Sequence, residues 1–128
     1  MHAAGTFEVK LAPVAPAPGE SDAVGRMTID KQFAGDLVAT SQGQMLAHTS
    51  GAAGSAGYVA IEKVSGTLAG RAGSFVLQHS GVMTRGRGEL SVTVVPDSGT
   101  GALLGLAGRM NIIIEGGKHT YVFEYVLP

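Results

Sequence analysis

Polar and apolar residues alternate through Thr6-Phe7-Glu8-Val9-Lys10-Leu11, the period of a β-strand with one buried face. The same two-residue period returns over Met27–Phe33, where Met27, Ile29, Lys31 and Phe33 share one side, and more weakly over the Ala-, Ser- and Gln-rich stretch 37–49. Further strands are predicted at Tyr58–Val64, Phe75–His79, Glu89–Val95, Arg109–Glu115 and His119–Leu127. No long helix is predicted; Ala102-Leu103-Leu104 has room for a single helical or 3₁₀ turn. The breaks between these runs are chemically distinct. Pro13, Pro16, Pro18 and Gly19 make 12–23 a stiff loop or an edge crossing. The run 50–57, Ser-Gly-Ala-Ala-Gly-Ser-Ala-Gly, has almost no side chain to pack and reads as a loose loop. Asp97-Ser98-Gly99 reads as a turn, and Gly116-Gly117 is a two-residue hairpin signal.

Eight short strands joined by Gly-rich turns point to a sandwich or a closed barrel. The glycines inside strands, Gly43, Gly81 and the set Gly66, Gly70 and Gly73, favour the barrel, because sharply coiled strands use glycine at their corners. The expectation is therefore an all-β chain forming one eight-stranded antiparallel barrel domain over residues 1–128. Such a barrel has an interior just wide enough for packed side chains or one small ligand, so the inward faces are where chemistry would sit.

Composition narrows the picture further. With 45% hydrophobic residues, 128 residues can build one core without disulfides. Nine Lys and Arg against ten Asp and Glu leave a formal charge of −1, too balanced to predict a nucleic-acid or anionic-membrane surface. The chain has no Cys, which removes thiolate nucleophiles and Cys-bound zinc and suits a reducing, cytoplasmic compartment. No apolar run approaches a membrane span, and the opening Met1–Gly5 has no basic region followed by an apolar one.

The stretch from Gly66 through Phe75-Val76-Leu77-Gln78-His79-Ser80 to Gly81 resembles a small bacterial family of unknown function, placed among the allene-oxide-cyclase-like (dirigent-like) barrels. Gly57–Glu62, Ile29–Leu37, Val94–Gly101 and Gly117–Pro128 fit the same family, so the resemblance covers nearly the whole chain. It implies an eight-stranded antiparallel barrel with an apolar lumen that often self-associates, and it implies no known reaction. Similarity to allene oxide cyclases themselves rests on Gly-x-x-x-Gly-x-x-Gly and on Gly35-Asp36, and no catalytic residue is carried over from them. Cyclases of this barrel class fold an apolar substrate inside the lumen, which needs positioning and water exclusion before acids or bases.

Glu62 and His79 are the pair singled out for acid–base chemistry. Glu62 shares a face with Tyr58, Ala60 and Val64, and His79 shares one with Phe75, Leu77 and Met83. If both faces look inward, a carboxylate meets an imidazole in one apolar lumen. The alternative puts Glu62 in solvent, because Val59 and Ile61 make the opposite face equally apolar and long charged side chains are rarely fully buried. His79 is otherwise a satisfied core imidazole. Tyr121, Phe123 and Tyr125 form one aromatic face, with His119 and Leu127 at its ends, that chain parity turns inward. It serves either as a ligand wall with Tyr121 and Tyr125 as polar orienters or as plain core. Phe33, Met45, Tyr58, Phe75, Leu77 and Met83 complete the candidate ligand-binding set, with Met27 and Met110 as further adaptable linings. Lys31 is a lumen amine if desolvated; otherwise its head reaches water beside Asp30 or Asp36.

Other patterns miss their motifs. Gly99-Thr100-Gly101 lacks the third Gly and the βαβ setting of a dinucleotide loop, and Gly116-Gly117-Lys118 is followed by His119 where a phosphate loop needs Ser or Thr. The four His have no metal-ligand spacing, and Arg85-Gly86-Arg87-Gly88 is a basic turn without aromatic interleaving. No cofactor or metal is assigned. Three functions remain: binding of a small apolar molecule in the lumen, a cofactor-independent cyclase or isomerase, and a structural homo-oligomer. The last would assemble through outer residues such as Val59, Ile61, Ile113, Val122 and Val126.

Overall fold

The computed structural model describes residues 1–20 and 23–128 and is a closed barrel of eight antiparallel strands. The strands are β1 (His2–Val14), β2 (Gly25–Gly35), β3 (Leu37–Thr49), β4 (Ala56–Leu68), β5 (Arg71–Thr84), β6 (Arg87–Val94), β7 (Ala107–Glu115) and β8 (Lys118–Val126). Each pairs with its neighbour in chain order, and β1 closes on β8 through the register His2–Glu124 to Phe7–His119. A 3₁₀ turn, Gly101–Leu103, interrupts the β6–β7 loop where the sequence leaves room for one. No helix among the described residues is long and apolar enough to cross a membrane.

Several strands run longer than alternation alone indicates. β1 continues through Ala12, Pro13 and Val14, into the segment expected to be loop. Beyond Phe7, β1 pairs only with β2, so Pro13 lies on a free edge, where its missing N–H breaks no ladder. The rest of that expected loop includes Ser21 and Asp22, which lie outside the described residues. The glycine-rich stretch 50–57 shrinks to a turn at 50–55, with Ala56 and Gly57 already in β4. Gly66 and Gly73 sit opposite each other inside β4 and β5, and the chain reverses at Ala69-Gly70. Gly116 and Gly117 both have positive φ, +56° and +77°, the backbone that a two-residue hairpin requires.

The interior is filled unequally. At the end carrying the β2–β3 and β4–β5 turns, Phe33 meets Phe7 and Tyr121, and Phe75 stacks on Phe123, which stacks on Tyr125. Leu103 and Leu106 from the β6–β7 loop are buried in the same cluster as Leu37, Leu68 and Leu77. The Tyr121 hydroxyl donates to the Ala34 carbonyl at 2.9 Å and accepts from the Leu37 amide at 3.0 Å, tying the β2–β3 turn to the core. The opposite end, carrying the β3–β4, β5–β6 and β7–β8 turns, holds smaller and half-buried residues. β6 and β7 register at one pair, Thr93 with Arg109, beside the β6–β7 loop at the filled end, so the wall splays towards the opposite end. Outside, Val59, Ile61, Ile113 and Val126 are exposed and Val122 is half-buried.

Gly43 sits opposite Glu62 in the β3–β4 pair. A Cβ there would lie 2.6 Å from Glu62 Cα, so only glycine lets β3 press this closely on β4. Gly43→Ala is expected to lose about 1–3 kcal/mol in denaturant unfolding. Gly25→Ala, whose added Cβ would meet nothing nearer than 3.8 Å, is expected to be neutral or slightly stabilising.

Candidate functional site

Midway along the barrel four polar side chains face inward: Lys31 from β2, Ser41 from β3, Glu62 from β4 and His79 from β5. All four lie on the inward parity of their strands, among mainly small or apolar inward residues. Glu62 is 0% exposed and is the hub. One carboxylate oxygen accepts from Ser41 Oγ at 2.8 Å; the other accepts from Lys31 Nζ at 2.7 Å and meets His79 Nε2 at 2.6 Å. The Lys31 ammonium also lies over the Phe7 and Phe33 rings, 5.0 and 5.8 Å from their centroids. Every buried side-chain nitrogen and oxygen among the described residues has a hydrogen-bond partner.

The two open readings of Glu62 are thereby separated. The general tendency of carboxylates to stay in water yields here because three donors, one of them an ammonium, compensate the desolvation. Burial on its own would raise the Glu62 pKa; the His79 hydrogen bond and the Lys31 charge and hydrogen bond outweigh it and hold the group at about 2, against an ordinary 4.5. Lys31 departs from the expected solvent-facing position. Its partner is Glu62, while Asp30 is exposed and Asp36 accepts from the Ala4 amide at 2.9 Å. The partner of Lys31 lies 31 residues away, across β2, β3 and β4, and no local sequence signal marks it.

Tyr58 connects this cluster to the open end. Its hydroxyl lies 3.4 Å from His79 Nδ1, and its ring lies over Gly81, where a Cβ would come within 2.8 Å of Tyr58 Cδ1. Burial first, and the Glu62 charge second, raise the Tyr58 pKa, so the phenol is protonated at neutral pH. Above Tyr58 opens a pocket of about 570 Å³ lined by Met45, Ala47, Val82, Met83, Leu90 and Ile114 among others, where β6 and β7 diverge. Among the described residues no three His, Asp or Glu side chains converge as a metal site.

The candidate ligand-binding residues therefore divide in two. Met45, Tyr58 and Met83 line the pocket. Phe33, Phe75, Leu77, Tyr121, Phe123 and Tyr125 pack against one another at the closed end, and the Tyr121 hydroxyl is occupied by backbone. Glu62 and His79 come together, but beneath Tyr58, so a molecule in the pocket meets the pair through the phenol. Ala47, Val82, Leu90 and Ile114 were not among the candidates: Val82 lies on the outward parity of β5, whereas Ala47, Leu90 and Ile114 share the inward parity of Met45, Val92 and Met110, a signal that alternation does carry.

Because the Glu62 pKa is lower in the folded chain than in the unfolded one, its ionised form contributes stability that is present above about pH 4.5 and is lost as pH falls towards 2. Acid unfolding followed by circular dichroism should show that loss in the wild type. Glu62→Gln strands the Lys31 charge and is expected to cost about 3–5 kcal/mol at pH 7. Combining it with Lys31→Met should recover much of that loss and flatten the pH dependence.

Comparison with known proteins agrees with the architecture. Residues 3–125 match the family described as "Protein of unknown function (DUF3224)". A crystal structure of a protein of unknown function from that family, from Shewanella oneidensis MR-1, is similar with a TM-score of 0.93 and 50% identity, covering 100% of this chain and 97% of that one. No curated protein matches the sequence. With the match spanning nearly the whole barrel, this chain belongs to the DUF3224 family.

Proposed function

We propose that the barrel binds one small, largely apolar molecule in the pocket at its open end. The observation that carries this reading is the meeting of two features at Tyr58: an apolar pocket of about 570 Å³, within the range of small-molecule sites, and a buried charged network directly behind it. The closed end supports the same division of labour, since its aromatic side chains fill the interior and leave binding to the other half. The apolar interior and the closed up-and-down order of eight strands also support placing the family among the allene-oxide-cyclase-like barrels.

A second reading, cofactor-independent isomerisation or cyclisation of an apolar substrate, is favoured by the 2.6 Å contact between His79 and Glu62. An imidazole oriented by a carboxylate is suited to take a proton from a hydroxyl on its other side, and that hydroxyl is Tyr58. In this reading Tyr58 touches the substrate, His79 accepts its proton and Glu62 orients the imidazole. Both Glu62 and His79 are too deeply buried to touch a molecule in the pocket themselves.

Titration with the neutral fluorophore Nile red tests the binding reading. Saturable one-to-one binding is expected for the wild type. Ala47→Trp, which fills the pocket from a half-buried position, should weaken it at least about tenfold while leaving the melting temperature unchanged. Absence of saturable binding, or equal binding by both proteins, overturns the reading. For the isomerase reading, any compound released from the purified protein is rebound in D₂O. Deuterium on carbon with the wild type and none with His79→Gln is expected; no exchange with either leaves binding alone.

A further inference from the structure

The hydrogen bonds around Glu62 determine which way the hydroxyl at the pocket floor points. Glu62 is ionised at neutral pH and can only accept. Its contact with His79 Nε2 therefore requires the proton to be on Nε2. The carboxylate charge is already balanced by the Lys31 ammonium, 2.7 Å away. A second cation on His79, 4% exposed in an apolar barrel, would have no counter-charge, so the balanced form is the neutral imidazole with a lone pair on Nδ1. That lone pair faces the Tyr58 hydroxyl at 3.4 Å, and Tyr58 donates to it. With its hydrogen committed inward, Tyr58 has only oxygen lone pairs left for a molecule in the pocket. The other polar side chains lining the pocket, Glu89, His48 and Thr49, are exposed at its rim, so Tyr58 is the polar group at its floor.

Resting on the binding reading above, we propose that the ligand is an apolar molecule bearing a hydroxyl, a phenol or a long-chain alcohol, whose O–H donates to the Tyr58 oxygen. Esters, ethers and ketones are the classes the Tyr58 oxygen selects against, because their oxygens would meet an acceptor there, and a carboxylate would also meet the charges of Glu89 and, behind Tyr58, of Glu62. A donor arriving at the Tyr58 oxygen polarises its O–H and strengthens the bond to His79, which at 3.4 Å is long in the ligand-free barrel. The chain from ligand through Tyr58 and His79 to Glu62 would then run donor to acceptor without a break, with Lys31 donating to the same carboxylate from β2.

Three probes of equal apolar length separate the possibilities: 4-hexylphenol, its methyl ether 4-hexylanisole, and hexylbenzene, each measured by displacement of Nile red from wild-type and Tyr58→Phe protein. The phenol is expected to bind the wild type about 3–10-fold more tightly than the ether, and this preference should fall below about twofold in Tyr58→Phe. Tyr58 is half-buried at the open end, so the phenylalanine keeps the ring packing, and hexylbenzene should bind both proteins alike. If all three displace Nile red but phenol and ether bind equally, or if the preference survives in Tyr58→Phe, the hydroxyl inference is overturned and the apolar pocket stands. If none of the three displaces the dye, or none binds, the pocket reading falls and the inference falls with it.

Discussion

A carboxylate with no exposure to water lies at the centre of this barrel, and the surrounding structure is arranged to satisfy it. Glu62 on β4 draws Lys31 from β2, Ser41 from β3 and His79 from β5, so four consecutive strands hold their mutual register through one side chain. Gly43 is part of the same constraint, because only a residue without Cβ lets β3 lie against the backbone of Glu62. An apolar replacement of such a network is often as stable or more so, which makes stability alone a poor reason for its presence. What the network does provide is a fixed orientation for His79, and through it for Tyr58.

The polar layer also divides the barrel into two halves with different physical roles. Below it, aromatic rings and leucines fill the interior and the β6–β7 loop contributes its own plug of Leu103 and Leu106. Above it, the inward positions pass to Ala47, Ala56 and Gly81, and the wall between β6 and β7 opens. Gly81 makes room for the Tyr58 ring and so places the phenol at the floor of the pocket. A rigid, packed end supports a preorganised site at the open one, in keeping with the economy of small barrels.

Much of the strand framework is local and was legible from alternation: the faces of Ile29 and Phe33, of Phe75 and Leu77, and of Tyr121, Phe123 and Tyr125 all turn inward as the two-residue period requires. Strand ends were less legible. β1 passes through Pro13 because β8 has already ended beside it, which is a fact about a strand more than a hundred residues away. The aromatic face of β8 read equally well as ligand wall or as core, since the two differ in the volume left between residues and not in residue type.

For Glu62 the sequence offered two apolar faces on one strand, Tyr58, Ala60 and Val64 against Val59 and Ile61, and hydrophobicity could not choose between them. The choice was made by partners contributed from three other strands, which only barrel closure brings within hydrogen-bonding distance. The order of polar and apolar residues thus determined that the chain is all-β, how many strands it has and where most of them turn, because those properties depend on neighbours in sequence. Which charged residues are buried, that Lys31 pairs with Glu62, and that the pocket opens above Tyr58 and not among the Tyr121 aromatics were decided by tertiary structure, because each depends on register and curvature summed around the whole barrel.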